Sequence, residues 1–405
     1  MSDSIALQDL LSAEAVRQRC SLIGTAAAEN RTRWFAYRPE ELEQCIDLVA
    51  EECLQNYPDL NIPYHSRWRH FVTGGLDLWH YYADKNLAGL DNETRTRCAI
   101  DLVFISVLLD AGAGGNWQYI DPVSHNSLSR SEGLAAATVD LFFNHLGRVE
   151  DGQGVVIDAA AILGANRMLI ENAFQHRRGN SLLGMEGRIT LLTGLANQLK
   201  QLTNLGISRP GHLYDFLLER SENGQISAAK VLQGVLQLFN PIWPRGMTRD
   251  GVHLGDCGHH RLLPADSFLG LVPFHKLSQW LTYSLIEPLG WAGLEVTNLD
   301  QLTGLPEYRN GGLLIDTGVL APVPSELLIR KLTIESEAVV EWRALTVWLL
   351  DKVALGVRQR LNRTAKQLPL ASVLQGGTWS AGRKLANSLR DGAPPLNLDI
   401  DGTVF

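Results

Sequence analysis

The sequence predicts a mainly α, multi-helical globular fold with a few short strands, and three observations carry that prediction. Apolar residues recur at helical spacing through most of the chain, capping residues and prolines punctuate those runs, and only "GLEVTN" (293–298) and "GLLID" (312–316) read as strands. Nothing alternates with helices as a doubly wound sheet requires, and there is no internal repeat, low-complexity linker, G-x-G-x-x-G or P-loop pattern.

Taken in order, "RPEELEQCIDLVAEECLQNYP" (38–58) places Pro39 in a first turn, acids just after it and Pro58 as a stop. "DNETRTRCAIDLVFISVLLDAGAGG" (91–115) has Asp91 as N-cap, a run of helical length and glycines to end it. Further helical patterns cover 131–143, 158–174, 187–202, 227–239, 273–287, 336–360 and 370–390. Between the last strand signal and its neighbours, Glu307, Tyr308, Arg309 and Asn310 precede Gly311 and Gly312 and read as a tight bend. The expected organisation is one functional unit over 1–405, with N-terminal helices in 1–90, a catalytic core in 91–320, and C-terminal helices and a tail in 321–405.

Composition bounds the function. With 45% hydrophobic and 20% charged residues in 405, the chain can bury a large core. A formal net charge of -8 argues against a nucleic-acid partner. Cys20, Cys45, Cys53, Cys98 and Cys257 are odd in number and widely spaced, as free thiols in a reducing compartment are. The first residues carry acids where a signal peptide is basic, and the longest apolar run, "LVFISVLL" (102–109), falls far short of the roughly 18 residues that span a bilayer. The expectation is a cytoplasmic protein without membrane insertion.

Chemistry concentrates between residues 110 and 316. In "PFHKLSQWLTYSLIEPL" (273–289) a helix places Leu277, Trp280, Leu281, Ser284 and Leu285 on one arc and His275, Lys276, Gln279 and Tyr283 on the other. That polar arc reads either as a solvated back or, with Lys276 in the first turn, as an anion site. Asp110 closes its helix at the end unsuited to negative charge, so it either accepts N–H bonds from the glycine turn or is a buried acid in a cleft lined by Trp117 and Tyr119. In "SRSEGLAAATVDLF" (129–142), Ser129 or Ser131 caps a helix whose first turn holds Glu132. The Glu307–Arg309 bend is either an ion pair beneath a turn or a carboxylate, phenol and guanidinium presented to an anionic ligand, with Asn310 and Asp316 completing the expected substrate-binding set.

Two other clusters are weighed. "GVHLGDCGHH" (251–260) offers His253, Asp256, Cys257, His259 and His260, but their spacing matches no strong zinc pattern and reads as a hydrogen-bonding loop. The terminal "LDIDGTVF" copies a phosphatase nucleophile motif at Asp399 and Asp401, without the acidic and lysine motifs that chemistry requires after it.

"LLDAGAGGNWQYI", "SRSEGLAAAT", "PFHKLSQWLTYSLIEPL" and "LTGLPEYRNGGLLIDTGVL" resemble the uracil-catabolism protein family of fungi and bacteria over nearly the whole chain. That resemblance implies a cytosolic pyrimidine-degradation route that releases urea, alongside a uracil phosphoribosyltransferase and a cyclohydrolase-like partner. A fainter resemblance, in Glu307-Tyr308-Arg309, Phe274-His275-Lys276, Asp110, Trp117 and Ser131-Glu132-Gly133, is to the queuosine 5'-phosphate nucleosidases, with Glu307 standing where that family has aspartate. It implies a helical, DNA-glycosylase-like fold.

The expected function is an N-glycosidase acting on a ribosyl-urea or related ribosyl 5'-phosphate, without cofactor or metal. Glu307 stabilises or attacks the ribosyl carbon, Asp110 or Glu132 supplies a proton or positions water, Lys276, His275 and Arg309 hold the phosphate, and Trp117 and Tyr308 pack on the ligand. The rivals are a metal-assisted amidohydrolase opening a ureide at His253, Asp256, His259 and His260, and a non-catalytic assembly protein of the same pathway.

Overall fold

The computed structural model describes residues 7–110, 112–243, 246–264 and 268–399. Asp401 of the terminal motif lies outside the described residues. The first helices are α1 (Ala13–Ala28), α2 (Leu42–Asn56), α3 (Leu78–Asn86) and α4 (Asn92–Leu108), followed by α5 (Arg130–Asp140), α6 (Ala159–Gly164), α7 (Arg167–Ala173) and α8 (Met185–Leu202). Then come α9 (Leu213–Leu218), α10 (Ala228–Phe239), α11 (Lys276–Trp291), α12 (Tyr308–Asp316), α13 (Glu337–Leu361), α14 (Leu370–Val373) and α15 (Trp379–Arg390). The fold is mainly α, as the periodicity predicts. Strands among the described residues pair only in twos, including a parallel pair of 225–227 with 295–297.

Local chemistry sets many of the boundaries. Asp91 caps α4 by accepting the Thr94 N–H at 2.7 Å. The helix expected over 158–174 is two helices, because Asn166 accepts the Leu169 N–H and so starts α7 afresh after α6. Asp77 caps α3, an element that the apolar spacing did not reveal. The 370–390 stretch is helical as expected but passes through a π turn at Leu374–Thr378.

The stretch 307–316 is the main correction. It is neither a tight bend nor a strand; it is helix α12, with Glu307 at its N-cap. Of the two glycines, Gly311 serves packing. A Cβ on Gly311 would lie 2.7 Å from the Trp342 indole of α13, whose Nε1 donates to the Gly311 carbonyl at 3.1 Å. On the other side, a Cβ on Gly382 of α15 would lie 2.3 Å from the Arg309 carbonyl. Small residues on both sides therefore let α12 sit pressed between α13 and α15.

Helix α11 differs from its sequence reading as well. It has no solvated back: Gln279 and Tyr283 of the polar arc are as buried as Leu281 and Leu285 of the apolar one. A helix buried all round carries polar groups only where partners meet them, and here Gln279 exchanges bonds with Thr303 while the Tyr283 hydroxyl donates to the Thr303 carbonyl. Helix α4 packs along α11, and α13 packs on α1 and α2. No helix among the described residues is long and apolar enough to cross a membrane.

Candidate functional site

Three helices begin at one place. The first turns of α5, α11 and α12 open onto a cavity of about 490 Å³, together with Asp110 just past the end of α4 and with Trp379 and Arg383 of α15. Its volume is that of a small-molecule site. Free N–H groups at helix starts favour anions, and Lys276, Arg309, Arg383 and Arg130 line the same space. Arg130 and His275, where α5 and α11 begin, have left-handed φ values of 53° and 48°. Such backbone costs roughly 1–3 kcal/mol in a non-glycine residue and clusters at functional sites.

Glu307 is held by backbone alone. Its Oε1 accepts the Asn310 N–H at 2.6 Å and its Oε2 the Arg309 N–H at 2.8 Å. Burial pushes its carboxyl above the usual range, and those N–H groups with Lys276 and Arg309 offset this only in part. No ion pair forms beneath a turn: the Arg309 guanidinium donates to the Gly392 carbonyl at 3.1 Å and lies over the Tyr308 ring. Lys276 makes no side-chain hydrogen bond or ion pair among the described residues, and burial lowers its affinity for a proton, with Glu307 countering.

Glu132 has the opposite environment. Burial alone would raise it, but positive charge beside it, from His70 only while that ring is protonated and from Arg383 throughout, more than offsets that and holds it below the usual range, with Arg383 Nη1 2.9 Å from its Oε1. Asp110 is paired with Arg67 at 2.9 Å, which supplies the charge its place at the end of α4 demands. No described residue of the glycine turn donates to its side chain. Arg67 also donates to the Ser131 carbonyl and the Ser106 hydroxyl, tying the starts of α5 and α4's last turns together. Ser129 takes the N-cap position of α5 without a side-chain bond, and Ser131 lines the cavity.

Asp110, Ser131, Glu132, Lys276, Tyr308 and Arg309 therefore gather around Glu307 as the sequence reading expects. Six other expected residues do not line the cavity. Trp117 is fully buried, donates to the Phe174 carbonyl and packs on Gly133; Tyr119 is buried beside it. His275 turns away to the Leu10 carbonyl, Gln279 to Thr303, and Asn310 to Leu305 and Thr378. Asp316 forms a two-point ion pair with Arg390 at 2.8 and 2.6 Å, fastening α12 to α15. For five of the six a chain partner already occupies the polar group; the Tyr119 hydroxyl is instead buried without a hydrogen-bond partner among the described residues.

The sequence reading missed His65, His70, Trp280, Trp379 and Arg383, all of which line the cavity. A signal existed for the first two: "HSRWRHF" (65–71) packs two histidines and two arginines into seven residues, an odd density for a buried segment. Besides residues of 91–320, the cavity takes His65 and His70 from the first stretch and Trp379 and Arg383 from the last.

The metal alternative fares differently. Asp256 is held by Arg343 at 2.8 and 2.6 Å, His260 by Glu341 at 3.1 Å, and His253 by Thr248 at 2.9 Å. Among the described residues no three His, Cys, Asp or Glu side chains are placed to hold a metal ion together. The segment is also not a loop: 252–255 and 257–259 are strands of two hairpins. Asp399 pairs with Lys331 at 2.8 Å.

Residues 9–405 match the family model described as "Protein of unknown function (DUF1688)". The chain is 34% identical to Protein urg3 of Schizosaccharomyces pombe over 404 residues, 98% of each chain. It is 35% identical to Uracil catabolism protein 4 of Lachancea kluyveri over 408 aligned positions, 92% of each chain.

Proposed function

Starting from a chain that belongs to the DUF1688 family and is 35% identical to a protein named for uracil catabolism, we propose that this protein acts in uracil catabolism as an N-glycosidase on a ribosyl-urea or related ribosyl 5'-phosphate. One observation carries the reading: two carboxylates line one cavity in surroundings that push their proton affinities apart, Glu307 upward and Glu132 downward. Such a division assigns acid and anion roles in glycoside chemistry.

Breaking a ribosyl C–N bond builds positive charge on the ribosyl carbon and negative charge on the departing nitrogen. Glu307 holds a proton more readily than an ordinary carboxyl and gives it to that nitrogen. This reverses the role its position alone had indicated. Glu132, kept ionised, stabilises the oxocarbenium-like carbon, and Asp110, braced by Arg67, positions water for attack. Lys276 and Arg309, with the N–H groups at the start of α5, hold a 5'-phosphate. Tyr308 packs on the sugar.

The test is to incubate purified protein with ribosyl-urea and its 5'-phosphate and to measure urea and free sugar. Release of both products in equal amounts, faster from the phosphate, is the expected result. Turnover of neither compound would overturn the reading.

A further inference from the structure

His65, His70, Trp280 and Trp379 stand around one part of the cavity, and the mechanism above uses none of them. The His65 ring centroid lies 4.7 Å from Trp280 and 6.0 Å from Trp379; His70 lies 6.2 and 6.1 Å from the same two indoles. Each imidazole thus touches both indoles, while the indoles make no ring contact with each other among the described residues. Four rings spaced in this way wall a slot suited to a flat group.

One buried polar atom of these rings has no partner among the described residues. His70 is 9% exposed and its Nδ1 is buried with no hydrogen bond. His65 Nδ1 lies 2.9 Å from the Gln375 amide oxygen, so it carries the hydrogen and leaves Nε2 an acceptor. Burial pushes both imidazoles down to about 4, so both are uncharged at neutral pH. Neutral rings with one acceptor and one free imidazole edge suit a flat, uncharged group that both donates and accepts, as amides do.

We infer that these four rings seat the planar, amide-bearing leaving group of the N-glycoside, a pyrimidine ring or an open ureide. The assignment rests on the N-glycosidase reading for the word "leaving"; the seat itself rests on the rings. It separates the cavity into an aromatic part for the base-derived group and a cationic part, around Lys276 and Arg309, for the sugar phosphate.

Trp379 is only half-buried, so its ring can be removed with little damage to the core. Calorimetric titrations of the intact protein with uracil, N-methylurea and ribose 5-phosphate read the two parts separately. In Trp379→Leu, affinity for the flat ligands should fall roughly ten- to a hundredfold, the loss typical of removing a stacking ring, with ribose 5-phosphate unchanged. Trp379→Phe should recover most of that loss, which a merely unfolded variant would not show. Preference for uracil over N-methylurea assigns an intact ring, and the reverse an open ureide. Flat ligands bound equally by wild type and Trp379→Leu, bound by neither, or lost in parallel with ribose 5-phosphate, would overturn the assignment. Flat ligands that bind as expected to a protein that cleaves no ribosyl-urea would defeat the chemistry and leave the seat standing; cleavage with unchanged kcat/KM in Trp379→Leu would do the reverse.

Discussion

Two segments of this chain look alike on paper, and the fold uses them in opposite ways. "PEYRNGG" (306–312) and "GDCGHH" (255–260) each pack acids and bases beside glycines. The first delivers Glu307, Tyr308 and Arg309 to a cavity; the second spends Asp256 on Arg343 and His260 on Glu341. They differ in where the partners come from. Glu307 is satisfied by N–H groups two and three residues away, which leaves the cations around it for a ligand, whereas Asp256 neutralises a buried cation 87 residues distant. The segments do meet, since Asp256 Oδ2 also accepts the Lys276 N–H at 3.0 Å and so fixes the start of α11.

The sharpest way to break this contrast is to neutralise both acids. Glu307→Gln should lower kcat by about a hundred- to ten-thousandfold through loss of the proton donor, and cost about 0.5–2 kcal/mol of stability through the weakened cap. A substrate whose leaving group needs no proton, such as a 4-nitrophenyl riboside, should be cleaved by this variant at near wild-type rate. Asp256→Asn removes the two-point ion pair to the buried Arg343 and should cost about 3–5 kcal/mol, seen as a large drop in Tm, while its folded fraction turns over normally. Reversed outcomes would exchange the roles of the two segments.

Next in size is the cationic part of the cavity. Lys276→Met should reduce kcat/KM for the phosphorylated substrate by roughly ten- to a hundredfold and spare the unphosphorylated one. Equal loss on both would place Lys276 elsewhere than on the phosphate.

Stability against pH separates the acids by sign. Burial raises Glu307, so its contribution is present below the usual carboxylate range and is lost as pH rises through its raised value. Asp256 is pulled the other way: burial would raise it, Arg343 more than compensates, and its contribution is lost as pH falls through its depressed value. Denaturant titrations across pH should therefore show Glu307→Gln flattening the higher-pH side and Asp256→Asn the acid side. The smallest effect belongs to His259→Ala: its side chain is exposed, so stability should stay within about 0.5 kcal/mol and kcat near wild type. A thousandfold loss of kcat there would return the 251–260 segment to the chemistry.

Much of this was legible in the sequence for a local reason. Asp91, Asn166 and the helical spacing act within a few residues, and so does the first-turn placement of Lys276 and Glu132. Helix α12 was not, because Gly311 and Gly312 are poor helix formers and only the close approach of Trp342 makes glycine the right residue at 311.

The sequence by itself determined a helical protein, the positions of most helices, and the residue types able to act on a polar anionic ligand. Only the tertiary structure decided which of those side chains remain available. Asp316 looks as catalytic as Glu307 until Arg390, 74 residues on, closes over it. Trp117 looks as suited to stacking as Trp379 until the core buries it, and His70 becomes notable only when its Nδ1 is found without a partner. The physical reason is that hydrogen-bond and charge partners are supplied across long stretches of chain, while periodicity and capping report on neighbours alone.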